Sequence, residues 1–276
     1  MAPSRPRPAR FSPLRLNTFL HNRVIGAPPS LTTTVDPPRT LSAAAPVLML
    51  GGDSTALGAR VSGLPLAAAV LVALPVFLQA PWVRLAPFSA ALFTAPLLLL
   101  ALVLERCPRP AWRDAGALIV GFCGSWLGGC LFWGWFRLHP LWHLPIEAFA
   151  LPLAVGGLQG RWRLASSFYL ASLLGTACTD AVMAITGVMG RWTAVLQAPL
   201  DQAPMLLQQA AQLVLQPVQL TITLLAAVGL AALCRHFWNH PDSSWRLAAS
   251  ALATTLAVDG LFLAAALWAP QLSGLI

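Results

Sequence analysis

Six ionisable residues lie inside or at the edge of long apolar runs: the acids Glu147, Asp180 and Asp259, with His139, His143 and Arg137. An ionisable side chain surrounded by hydrocarbon loses its hydration, so such residues are rare and stand as functional candidates. At about 1.5 Å of rise per residue, the three acids fall in the outer half of a bilayer on the span assignment given below, Asp259 only just. Carboxylates at one depth would suit a cation, a proton relay or an amine-bearing solute, with Arg137 as the nearest positive counterpart.

Each of these residues also has a plain structural reading. Glu147 follows Pro145 by two, which puts it in the first turn of a helix, where an acid complements the dipole and the free N–H groups. Thr179-Asp180 could hydrogen-bond across a helix pair, Asp259 could satisfy a local kink before Gly260, and Arg137 could snorkel from a helix end. His139 and His143 are four apart, but Pro140 disrupts a regular helix between them, and no third ligand follows at a suitable spacing. Metal binding is therefore not expected, and histidines bonded to backbone at an interface are the simpler reading. An axial ligand to a pigment or haem needs only one His, which leaves that open; no cofactor is predicted.

Enzyme patterns are missing. There is no Gly-rich phosphate loop, no GxSxG elbow and no HExxH, and Ser125, Ser166 and Ser167 have no His at similar depth. A non-enzymatic protein is expected. The five Cys are scattered without a CxxC. Cys123 and Cys130 are roughly 10 Å apart along a helix, too far for a disulfide, so all five read as small apolar fillers.

The elements that must position these residues follow from composition. The chain has 276 residues, 57% hydrophobic and 9% charged, with a mean hydropathy of +0.71. Soluble domains carry about 25% charged residues, so this chain cannot cover a water-facing surface. Roughly 20 apolar residues span a bilayer core, and the need to satisfy every backbone group within the segment favours helices. The net charge of +8 comes from 17 basic residues, all Arg. It is spread along the chain and lacks a basic stripe with reading aromatics, which argues against nucleic acid.

Residues 1–60 are rich in Arg, Pro, Ser and Thr and hold no run long enough to cross; a disordered cytoplasmic extension is expected, with Met49 as an alternative start. Residues 61–276 are expected to form the transmembrane domain. Seven apolar segments follow, near 64–82, 88–104, 115–136, 143–160, 164–188, 218–234 and 247–268. Basic residues concentrate on cytoplasmic loops. Alternate connections carry Arg106, Arg109, Arg113, Arg161, Arg163, Arg235 and Arg246 on one side and Arg84, Arg137 and Arg191 on the other. The expected fold is an all-α polytopic transmembrane helix bundle of about seven spans, N-terminus in and C-terminus out. If 143–160 did not cross, this alternation would break.

Residues 189–217 do not fit a span. Gln208, Gln212 and Gln216 recur every four residues opposite Leu206, Leu207, Leu213 and Val214, the pattern of an amphipathic helix lying in the outer interface. Gly121, Gly124 and Gly128 offer small surfaces for close helix packing, internal or between copies. Trp82, Trp133, Trp135, Trp142 and Trp192 suit an aromatic belt at the outer boundary.

The motifs GSWLGG (124–129), WGW (133–135), HPLWHLPIEA (139–148) and SLLGTACTD (172–180) carry a resemblance. From about Leu64 to Ala264 the chain resembles an uncharacterised family of cyanobacterial integral membrane proteins, a domain of unknown function. The resemblance implies a bacterial plasma or thylakoid membrane and no particular activity. Two expectations stand beside each other. In one, Glu147, Asp180 and Asp259 line a site that binds or transports a small solute, cation or proton, with His139 and His143 at its mouth. In the other, the protein is an accessory or assembly factor of a photosynthetic membrane, holding a partner protein or pigment.

Overall fold

The computed structural model describes residues 54–272, and their side chains from 63 to 271. Six helical stretches are long and apolar enough to cross a membrane: Gly63–Leu85, Pro87–Glu105, Pro110–Phe136, Arg163–Ile185, Pro217–Trp238 and Ser243–Trp268. There is no strand among the described residues, and the molecule is an all-α polytopic bundle of an integral membrane protein. The described residues form one compact unit.

The first stretch is built from α1 (Ser54–Leu74), a π-helical turn over Pro75–Gln79 and α2 (Ala80–Leu85); the second from α3 (Pro87–Leu92) and α4 (Thr94–Glu105). The central helix is α5 (Pro110–Leu131), extended by a second π turn over Phe132–Phe136. Pro87 and Pro110 sit at first helical positions, where the missing N–H costs nothing. α1 begins at Ser54, inside the stretch 1–60 read as the extension. The expected disorder of the extension and the alternative start at Met49 lie outside the described residues.

The segment expected as one span over 143–160 is not a single helix. It is a 3₁₀ turn (Pro140–Trp142), α6 (His143–Glu147), a second 3₁₀ turn (Ala148–Ala150) and α7 (Leu151–Gly157). Pro140, Pro145 and Pro152 each remove a backbone donor, so no continuous i to i−4 ladder can form. Then come α8 (Arg163–Ile185), α9 (Met189–Gln197), α10 (Ala203–Val214), α11 (Pro217–Trp238) and α12 (Ser243–Trp268). Asp242 caps α12 by accepting from the Ser244 amide at 2.9 Å.

Contacts give the helix directions. A Cβ on Gly121 would meet the Ala165 carbonyl and one on Gly124 the Tyr169 ring, so α5 and α8 advance together and run parallel. Gly175 meets Thr255, and Thr179 meets Asp259 one turn later, so α8 and α12 are parallel too. Gln79 reaches Trp126 and Cys130, while Val83 lies by Gly134, which aligns α1–α2 with α5. By contrast, Trp126 Nε1 donates to the Ala90 carbonyl at 3.0 Å, and Gly116 packs on Ala101, so α3–α4 run the opposite way. The broken segment is also antiparallel to α5 and α8: Glu147 lies against Gly128, Ala150 near Gly124, and Gly157 against Ser166.

α5 is the most enclosed helix, with Leu118, Phe122, Trp126 and Cys130 in the main core beside Phe168, Leu247 and Leu252. Large apolar side chains such as Leu66, Phe77, Leu99, Leu153 and Leu225 face outward, as a hydrocarbon environment permits. At the end where α5 and α12 finish, α9 and α10 pack as two short helices. Val195, Leu207 and Ala211 bury against Ala266, and the Gln208 side chain donates to the Leu267 carbonyl at 2.8 Å.

Candidate functional site

Three segments meet at His143, and a fourth, α12, joins them through Thr179. The His143 Nε2 lies 3.2 Å from Glu147 Oε1, one turn along on the broken segment, and its Nδ1 lies 3.0 Å from Asp180 Oδ1 on α8. Phe132 on the π turn of α5 stacks on the imidazole, with ring centroids 4.1 Å apart. On α8, Thr176 Oγ1 donates to Glu147 Oε2 at 2.9 Å, and Thr179 Oγ1 donates to Asp259 Oδ2 of α12 at 2.6 Å. The spacing Thr176, Thr179, Asp180 places these groups on one side of α8. The side chains of His143, Glu147 and Asp180 are 21%, 16% and 16% exposed, so the cluster is withdrawn from the surface without being sealed.

The backbone around the cluster is held as firmly as the side chains. The Tyr169 hydroxyl donates to the Glu147 carbonyl and accepts from the Ala150 amide, fastening the 3₁₀ turn to α8. Gly128 is small because a Cβ there would stand 3.1 Å from the Glu147 Cα. Gly121 is tighter still, at 2.3 Å from the Ala165 carbonyl oxygen. These glycines therefore pack inside the chain, against the broken segment and α8.

A neutral imidazole has one N–H, so both ring nitrogens can donate to the flanking carboxylates only in the doubly protonated form. The same two contacts are also met by a neutral ring that donates to one carboxylate and accepts from the other acid when that acid is protonated, and a third acid stands beside the pair through Thr179-Asp180. Such a cluster can take up, hold and pass protons, and its excess of carboxylates favours positive charge.

The expected site residues divide. Glu147, Asp180 and His143 come into direct contact, and Asp259 joins through Thr179. His139 and Arg137 do not: both are exposed in the turn after α5, and among the described residues neither forms an ion pair with the acids. Only Arg137's backbone takes part in packing, its carbonyl accepting from Trp192 Nε1 at 3.1 Å, while the Leu138 carbonyl accepts from Thr193 at 3.2 Å. Glu147 is not in the first turn of a long helix, since α6 ends at it. α12 continues as a helix through Asp259 and Gly260, and the Asp259 carboxylate accepts from Thr179 of α8. Thr176, Tyr169 and Phe132 carry no mark in the sequence that sets them apart, and the His143–Glu147 spacing of four is the one local signal of the cluster. No three His, Cys, Asp or Glu side chains among the described residues are placed to hold a metal ion.

The fold and site define a helical, multi-pass integral membrane protein with a polar cluster buried among its helices. Residues 68–267 match the family described as protein of unknown function (DUF3120), and the chain belongs to that family. No curated protein and no solved structure matches the chain.

Proposed function

We propose that this protein binds and translocates protons, or a small cation exchanged against them, through the His143–Glu147–Asp180–Asp259 cluster. The observation that supports this is the meeting of two acids from separate segments on one imidazole, with a third acid, Asp259, joined to them through Thr179. A purely structural polar contact between membrane helices needs two partners; four titratable groups with two hydroxyls exceed that need.

In this reading the chain crosses seven times. Parallel α5 and α8 require the broken segment between them to return across the bilayer, and the seven-against-three division of arginines then falls on opposite sides. The arginine-rich side is the cytoplasm, the N-terminus lies inside and the C-terminus outside. Half-broken helices at membrane depth are tolerated where they line a protein-enclosed site, and the π turn at Phe132–Phe136 faces the same place.

The test is uptake by the purified full chain in sealed liposomes enclosing a pH-sensitive dye, under an imposed pH gradient. The expected result is dye response in the unaltered protein and its loss in Glu147→Gln and Asp180→Asn variants that still elute as folded protein. No response in the unaltered protein, or undiminished response in both variants, overturns the proposal. A stoichiometric membrane partner or pigment in the purified, transport-silent protein would favour the accessory-factor reading instead.

A further inference from the structure

A groove of about 460 Å³ runs along the outside of the bundle between α11 and α12, and none of the residues of the acidic cluster lines it. Its floor is the row Ala249, Ala253 and Ala257, four residues apart and so on one stripe of α12, about 12 Å long by helical rise. Behind it, Ser250 Oγ donates to the Pro65 carbonyl at 2.6 Å and ties α12 to α1. Arg235 and Trp238, in the last turn of α11, line it at the arginine-rich end of the bundle.

The surroundings of Arg235 matter. At that end Arg161 pairs with Glu105, Arg163 pairs with Asp242, and Arg246 donates to the carbonyls of His240 and Pro241. Among the described residues no carboxylate pairs with Arg235, whose side chain is exposed. Trp238 is 52% exposed beside it, as an indole at the headgroup level would be. An apolar recess on the hydrocarbon-facing side of a membrane protein is lined by lipid tails, and a guanidinium at its polar end matches a phosphate.

We propose that this groove binds one anionic phospholipid, with an acyl chain along the alanine row and its phosphate at Arg235. The proposal stands on the groove alone and is independent of the function of the acidic cluster. A role for Arg235 confined to complementing the C-terminal dipole of α11 would leave lipid selectivity untouched.

The experiment is native mass spectrometry of the full chain in mild detergent, titrated with phosphatidylglycerol or phosphatidylcholine. One phosphatidylglycerol should be retained with a preference of about fivefold over phosphatidylcholine, the scale of one interfacial arginine. Arg235→Gln should abolish the preference, and Ala253→Leu, which fills the groove from an exposed position, should lower retention of both lipids. Arg191→Gln, at the other end of the bundle, should change neither. Equal retention of the two lipids by the unaltered chain, or a preference that survives Arg235→Gln, overturns the proposal. So does retention undiminished by Ala253→Leu.

Discussion

His143 shows how much one side chain can hold together inside a membrane bundle. Replacing it by Phe keeps the stacking on Phe132 but leaves Glu147 and Asp180 without the ring nitrogens they contact. Leaving withdrawn polar groups without their partner costs about 1–3 kcal/mol. His143→Phe should therefore lower the melting temperature in detergent, and adding Glu147→Gln and Asp180→Asn should restore much of the loss. A triple variant no more stable than the single one would show that the charges are not what His143 balances. Asp242 is the acid with a clear pH signature outside the membrane. Burial acts to raise its carboxyl, but hydrogen bonds from the Ser244 amide and hydroxyl, with Arg163 and His240 nearby, outweigh that and hold it below its ordinary value. A carboxyl lower in the folded than in the unfolded state stabilises the fold above its unfolded value of about 3.9, and that contribution is lost as pH falls through the lowered value. Melting temperatures should fall below about pH 4, and Asp242→Asn should show a smaller part of that acid loss.

Among the elements, α5 and the broken segment decide the architecture. Gly121 allows α5 to approach the α8 backbone so closely that a methyl group would collide with the Ala165 carbonyl. Since that obstacle is main chain, Gly121→Ala should cost about 1–3 kcal/mol, read as a lowered melting temperature. Gly229, by contrast, has open space at its Cβ position, and Gly229→Ala in α11 should be neutral or stabilising. Equal losses at the two sites would contradict the close approach of α5 and α8. The short helix α9 is attached to the turn after α5 by Trp192 and Thr193. Trp192→Phe keeps the ring and removes the N–H, a change of about 1 kcal/mol, so deuterium exchange in residues 137–142 should quicken severalfold. Unchanged exchange would mean that α9 does not restrain that turn.

For the whole molecule, topology is the decisive quantity. A reporter active only outside the cytoplasm, fused after Ile276, should be active, while one fused within the Arg106–Arg113 connection should be silent. Matching behaviour at the two sites would mean that the segment between α5 and α8 does not cross. The lengths of the apolar runs already indicated a multi-pass protein, and the arginine distribution is the basis of the proposed orientation. The break in the fourth segment was foreshadowed by Pro140, Pro145 and Pro152, yet a run of 18 residues of the right hydropathy concealed it. Composition measures length and apolarity, not whether the ladder of backbone bonds is continuous.

What the sequence determined by itself is the class of the protein: too few charges for a water-facing surface, apolar runs of bilayer length, glycines where helices must touch, and acids that do not belong in hydrocarbon. The His143–Glu147 pair is local, four residues apart on one helix, but its meeting with Asp180 and Asp259 was decided by tertiary structure alone. In a soluble helix the apolar stripe points to the core and tells which way each residue faces. Here the lipid side and the core side are both apolar, so periodicity cannot set the rotation of α8 or α12 about its axis. That rotation, fixed by Gly175 against Thr255 and by Thr179 on Asp259, turns Asp180 towards His143 and brings together groups that are 80 residues apart in the chain.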